Sequence, residues 1–179
     1  MKKINKIIKV LHRLFITKII LYFSTDLYIE RYTKYLKKIG VDLKGTPKFI
    51  AGNAYFDGAD YKKIHLGDNI TISTEVFFLV HDYSLTTALA GIGERINRHE
   101  GEIFTLNDIF IGDNCFIGAR VTILPGTKIG NNCIIGSCAV VKGYIPDNSI
   151  VVGNPANIIG NTQEWAKEKK RNSYYYIEK

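Results

Sequence analysis

The sequence predicts a mainly β fold: a parallel β-helix of stacked triangular coils, led by a helical segment and closed by a short helix. Three observations predict it. From Ile111 to Pro146 a six-residue pattern recurs six times, as IGDNCF, IGARVT, ILPGTK, IGNNCI, IGSCAV and VKGYIP. Three hexads make an 18-residue super-period, visible where IGDNCFIG at 111–118 returns as IGNNCIIG at 129–136. Each hexad opens on an aliphatic residue (Ile111, Ile117, Ile123, Ile129, Ile135, Val141), and a small or apolar one follows four places later (Cys115, Val121, Thr127, Cys133, Ala139, Ile145). A fixed short period of this kind marks a solenoid. Each hexad supplies a short strand and a corner, and coils stack at the roughly 4.8 Å spacing of a β ladder. Stacked inward positions admit only a narrow column of Ile, Val, Cys and Thr. The corners GDN (112–114) and GNN (130–132) use residues that tolerate positive or unusual φ.

At the N-terminus, residues 3–38 read as helix. Ile4, Ile7, Ile8, Leu11, Leu14, Phe15, Ile19, Ile20 and Phe23 recur at three-to-four spacing with basic residues between them. Ser24 and Asp26 mark a break, and a second helix runs through Tyr28–Ile39 to Gly40. Of the first forty residues ten are Lys or Arg and two are acidic, whereas the rest of the 179-residue chain holds fourteen basic and fifteen acidic residues. The basic character therefore belongs to segment 1–40 and the coil is nearly neutral, which argues against nucleic acid as a partner. Two readings of 1–40 stay open: a helical cap or oligomer contact packed on the coil, or a basic amphipathic element lying on an anionic membrane. Lys9, Arg13 and Lys18 interrupt the apolar stretch and no cleavage site follows, so a secretory signal is not expected. The run Ile19–Phe23 is too short to span a bilayer. A cytoplasmic location is expected.

Residues 40–47 (GVDLKGTP) read as a linker, and the β-helix domain spans 48–160. Strands begin near Phe49 and become regular at Leu66 with LGDNIT, ISTEVF and FLVHDY. Between Leu66 and Ile111 the hexad phase slips, so something non-repeating is inserted between Tyr83 and about Phe104. Residues 84–101, with Gly91, Gly93, Arg95, Arg98, His99 and Glu100, read as that loop. A long loop on a rigid scaffold is a common place for function. DNSIVVGNPANIIG closes the coil, with Pro155 turning the chain, and residues 161–179 form a cap or tail. Cys115, Cys133 and Cys138 all lie in the repeat, the first two in equivalent inward columns. Buried free thiols are expected of that pair, a disulfide being the other reading, and no metal-ligand spacing is present.

His81 occupies the fourth position of FLVHDY, which the repeat phase points outward, immediately before the insertion. Histidine is the side chain that exchanges protons near neutral pH, so a base for a bound hydroxyl is one reading and a packed or surface histidine the other. Asp82 and Asp57 are candidates for orienting His81 or the acceptor, with the repeat phase turning Asp82 toward a corner.

The stretch 64–160 resembles the hexapeptide-repeat O-acetyltransferases of sugars and polysaccharides, the group of galactoside, maltose and nodulation-factor acetyltransferases. LVHDYS, NDIFIGDNCFIGARVTILPGTKIG and IPDNSIVVGNPANII carry the resemblance. It implies a left-handed parallel β-helix, His81 as general base, and direct transfer from acetyl-CoA to a hydroxyl of a sugar, surface polysaccharide or its precursor. Coenzyme contacts then fall on Ala119, Ser137, Lys142 and Gly143, and acceptor contacts on Asp57, Asp82 and Phe116, with no metal. Phe116 stands where the family usually has Trp, and Asn157 and Gly160 replace the basic residues that commonly follow the closing NPA. The resemblance also implies a homotrimer with sites between chains, and Phe77, Phe110 and Phe116 suit such an interface. The rivals are an N-acetyltransferase of an amino sugar-nucleotide, a γ-type carbonic anhydrase and a non-catalytic trimer. The second requires three histidines around zinc, and only His65 and His81 lie in the first repeat block.

Overall fold

The hexads close into a three-faced prism in which identical columns of side chains stack from coil to coil. The computed structural model describes residues 11–94 and 101–172. The first face holds parallel strands Asp42–Leu43, Ile64–Leu66, Ile109–Ile111, Lys128–Ile129 and Tyr144–Ile145. The second holds Phe49–Ile50, Thr71–Ile72, Phe116–Ile117, Ile134–Ile135 and Ser149–Val152, and the third Tyr55–Phe56, Phe77–Phe78, Thr122–Ile123 and Val140–Val141. Register places Leu43, Leu66, Ile111, Ile129 and Ile145 in one inward column. Ile50, Ile72, Ile117, Ile135 and Val151 form the next. Phe56, Phe78, Ile123 and Val141 form the third, its two phenylalanine rings stacked 5.0 Å apart. All are buried, so stacked apolar columns make the core.

Three details depart from the sequence reading. The first strand, Asp42–Leu43, lies inside the segment read as a linker. The sixth hexad is not a full one: Ile129 pairs with Ile145, sixteen residues on, because the turn through Lys142–Tyr144 is two residues shorter than its counterpart. Ile145 therefore joins the aliphatic column instead of the small-residue column. At the corners between the first and second faces the positive φ falls on Asn69, Asn114, Asn132 and Asn148, and not on Gly67, Gly112 or Gly130. Gly112 is required by close approach instead, since a Cβ there would meet the backbone of Gly130 at 2.7 Å.

Those asparagines form a ladder along one edge. Asn69 Nδ2 donates to Asn114 Oδ1 (2.8 Å), Asn114 to Asn132 (3.3 Å) and Asn132 to Asn148 (3.2 Å), and Gln163 also donates to Asn148 Oδ1 (3.1 Å). Local side-chain hydrogen bonds make left-handed backbone affordable for asparagine. Cys115 and Cys133 are free and buried inside the prism, and Cys138 is free and exposed at a corner.

The helical segment covers the N-terminal end of the prism. Residues 11–23 are helical, with a π-helical stretch Phe15–Ile20, and we call them α1. Helix α2 (Thr25–Ile39) begins three residues earlier than the spacing predicts, because Ser24 caps it by accepting the Leu27 N–H (3.2 Å). Gly40 ends it at φ +118°. Tyr28, Tyr32 and Leu36, one helical face, are buried against the coil, and the Tyr28 hydroxyl donates to the Ile50 carbonyl. The part of the predicted helix before residue 11 lies outside the described residues. At the other end, Asn157–Asn161 folds back antiparallel on Ser149–Val152, and a helix at Thr162–Asn172 follows.

The insertion leaves the coil through a small antiparallel hairpin, His81–Asp82 against Thr105–Leu106. Its first part is not irregular: Ser84–Gly91 is an α-helix, α3. Thr86 Oγ1 fastens the returning strand by donating to the Ile103 carbonyl (2.6 Å) and accepting the Ile103 N–H (3.0 Å). Arg95, Arg98, His99 and Glu100 lie outside the described residues.

On the first face, His65 is clamped between Asp42 (Nδ1, 2.9 Å) and Asp108 (Nε2, 3.1 Å), with its ring stacked on Phe110 at 4.3 Å. Only the imidazolium donates from both nitrogens. Burial alone would lower the His65 pKa, but the hydrogen bonds to Asp42 and Asp108 outweigh it and hold it above the ordinary histidine value. The clamp's stabilisation is therefore complete below the unfolded value of about 6.5 and is lost as pH rises through the raised folded-state value. The Tm gap between wild type and His65→Gln should be widest near about pH 6 and close toward about pH 9. A gap that ignores pH would refute the clamp.

Candidate active site

The edge joining the third face to the first carries His81 and Asp57. Asp57 follows strand Tyr55–Phe56 at this edge and is anchored by its N–H to the Phe78 carbonyl (3.1 Å). Its side chain is 2% exposed. Oδ1 accepts the Ala59 N–H (3.0 Å), and Oδ2 accepts both the Val80 N–H (3.0 Å) and the Nδ1–H of His81. A carboxylate that only accepts fixes the proton on Nδ1 and leaves the Nε2 lone pair free to accept a proton. The His81 side chain is a quarter exposed, so the imidazole is anchored from within and open to solvent on one side.

Asp82 has a different part. Its Oδ1 accepts the Ser84 N–H (2.8 Å) at the start of α3, and the side chain faces solvent. The hydroxyl and N–H of Ser84 hold its carboxyl below the usual range, and the charge of Lys142 adds to this. Of the two aspartates, Asp57 is the one bonded to the histidine.

The insertion adds two rings. Tyr83 meets His81 edge-on at 4.8 Å, Phe104 lies 6.5 Å from His81, and the two rings are 4.8 Å apart. Both are about two-fifths exposed. Sequence reasoning missed this pair. The available signal was the presence of an aromatic residue at each end of the phase break, which hairpin pairing brings together.

The other candidate residues divide between edges. Lys142 and Gly143 lie on the His81 edge, two coils further along, and both are exposed. Gly143 has φ +86° and an added Cβ there would meet nothing within 4 Å, so the edge is open. Ala119, half-buried, and Ser137, exposed, sit on the edge between the second and third faces, where the Cys138 N–H donates to the Ala119 carbonyl (2.9 Å). Phe116 lies on the second face between Thr71 and Ile134, opposite the His81 edge. A single chain therefore brings together His81, Asp57, Asp82, Lys142 and Gly143, and does not bring Ala119, Ser137 or Phe116 to them. Among the described residues, no group of three or more His, Cys, Asp or Glu is placed to hold a metal ion.

The model of the family described as bacterial transferase hexapeptide (six repeats) matches residues 108–143. Protein CapG of Staphylococcus aureus is 32% identical over 140 residues, which are 78% of this chain and 77% of that protein. Galactoside O-acetyltransferase of Escherichia coli (strain K12) is 31% identical over 114 residues, 64% of this chain and 49% of the relative. The chain spans only 32% to 61% of the length of three other curated relatives it matches. A hexapeptide-repeat acetyltransferase of Vibrio cholerae, VCA0836, solved with acetyl coenzyme A, aligns with a TM-score of 0.60 at 23% identity, covering 86% of this chain and 85% of that one. That likeness shows the fold, a left-handed parallel β-helix.

Proposed function

This chain belongs to the bacterial hexapeptide-repeat transferase family, and from that premise we propose that it is an acetyl-CoA-dependent O-acetyltransferase. Its acceptor is a hydroxyl of a sugar, a surface polysaccharide or a precursor of one. The observation that carries this reading is the buried Asp57 bonded to His81 Nδ1, which leaves Nε2 free to act as a base on a side chain that is a quarter exposed.

His81 Nε2 takes the acceptor hydroxyl proton as that oxygen attacks the thioester carbonyl. The carbon–sulfur bond breaks, the acetyl ester forms, and the coenzyme thiolate recovers the proton from His81. Asp57 holds the ring in this tautomer and offsets the imidazolium charge. No cysteine is needed: the described thiols lie inside the prism or at a corner of another edge. Lys142 serves a phosphate of the coenzyme, and the Tyr83–Phe104 wall gives a sugar ring an apolar surface beside the base. The separation of Ala119 and Ser137 from His81 supports a homotrimer in which one chain's base works against a neighbour's edge. We place the reaction in the cytoplasm.

The test is mass spectrometry of a panel of mono- and oligosaccharides incubated with acetyl-CoA. The expected result is one added acetyl group on a hydroxyl, as an ester that mild alkali removes. Alkali-stable acetylation confined to amino sugars would replace this reading with N-acetyl transfer. Coenzyme binding without product on any acceptor would favour a non-catalytic role.

A further inference from the structure

The helical segment has one face that the prism does not use. Ile16 and Thr17 of α1 are buried, and Ile20 and Leu21 are partly buried against the coil end. On the opposite side Leu11 (60% exposed), Phe15, Ile19 and Phe23 (79%) follow one another at four-residue steps, which the wider π-helical stretch Phe15–Ile20 keeps in line. Tyr22, 84% exposed, packs edge-on against Phe23 at 5.3 Å, so two aromatic rings project together from the elbow at Ser24. Such a cluster of exposed large apolar groups marks an interaction surface.

Exposed cations border the stripe on both sides. Arg13 and Lys18 line the hollow between α1 and the prism, and Arg31, Lys34 and Lys38 line the groove between α1 and α2. Lys34 is bonded to Glu30 (2.6 Å), and the other described acid of the segment is Asp26. Charge identifies the occupant. A second copy of this surface would set cations against cations, whereas anionic headgroups complement them. Apolar groups ringed by Lys and Arg describe an element lying in the plane of a membrane interface. Among the described residues, no helix is long and apolar enough to cross a membrane.

We propose that α1 and the elbow at Ser24 form a docking surface for an anionic phospholipid bilayer, with Phe15, Ile19, Tyr22 and Phe23 entering the acyl boundary while Arg13, Lys18, Arg31, Lys34 and Lys38 meet the headgroups. This is independent of the transferase reading and stands if that reading falls.

Flotation of the full-length protein tests it, using vesicles of phosphatidylcholine alone and with one-third phosphatidylglycerol. The protein should float with the anionic vesicles, stay behind with the neutral ones, and be released by high salt. Tyr22→Ser with Phe23→Ser should weaken binding more than about tenfold, and so should Arg31→Gln with Lys34→Gln and Lys38→Gln. All five side chains are solvent-exposed, so both variants should keep the wild-type circular dichroism spectrum and, with a soluble acceptor, the wild-type transfer rate. No flotation, equal flotation with neutral vesicles, or unchanged binding by a folded aromatic variant would overturn the proposal. So would a loss of oligomer mass in the aromatic variant, which would assign the face to a second copy.

Discussion

Replacing His81 with alanine is expected to lower kcat for acetyl transfer by about 10²- to 10⁴-fold, the usual contribution of a positioned general base. Acetyl-CoA binding, followed by isothermal titration, should remain within about threefold of wild type, because the lost interaction acts on the reacting proton and not on the coenzyme. The side chain is only partly buried and packs on Tyr83 and Phe104 at the surface, so the fold should survive the change. Loss of coenzyme binding together with activity would move His81 from catalysis to binding. Retention of more than about half the wild-type rate would remove the base from the mechanism altogether.

Asp57→Asn is the second large effect. The carboxylate serves three donors, the N–H groups of Ala59 and Val80 and the imidazole. An amide keeps only one accepting oxygen, so its NH₂ must face a donor whichever way it turns. If the NH₂ takes the Oδ2 place, it opposes the Val80 N–H and forces the other histidine tautomer, which puts a proton on Nε2. If it takes the Oδ1 place, the Ala59 N–H loses its partner. The first outcome removes the base, and wrong-tautomer variants of this kind lose up to about 10⁴-fold in kcat in serine proteases. The first outcome also leaves the buried Val80 N–H unsatisfied, at about 1–3 kcal/mol, whereas Ala59 is exposed and its N–H can turn to water. A fall in Tm of about 2–4 °C for each kcal/mol should accompany the rate loss. Asp82→Asn is the control: its carboxyl faces solvent and bonds Ser84, so it should cost less than about tenfold. Equal losses from the two aspartates would refute the positioning role of Asp57.

The extent to which these features were legible in the sequence follows from the local period. Between Ile111 and Val141 the strands are eighteen residues apart, and every inward residue could be named from the hexads. In the first coil the spacing is longer, twenty-two residues from Ile50 to Ile72 and from Phe56 to Phe78, so the period does not reveal that Asp57 lies beside Val80 and His81. Both Asp57 and Asp82 were therefore candidates in the sequence, and only the folded chain shows which of them bonds His81. The glycines at the corners misled in another way. Gly112 looks like a positive-φ residue, but its role is set by the backbone of Gly130 one coil away, a contact that no local pattern encodes. The helices were readable because their signals are local: Ser24 and Gly40 cap α2, and Tyr28, Tyr32 and Leu36 lie one turn apart. The split of the candidate coenzyme residues between two edges depends on the closure of the triangle and emerges only in three dimensions.

The asparagine ladder has a consequence for chemical ageing. Asn114 and Asn132 each receive on the side-chain oxygen from the rung before and give an amide hydrogen to the rung after. Deamidation of Asn132 would leave the bond arriving from Asn114 intact and set oxygen against oxygen toward Asn148. A slow covalent lesion there would thus loosen the edge on the side held by Gln163 and leave the rungs from Asn69 to Asn132 in place.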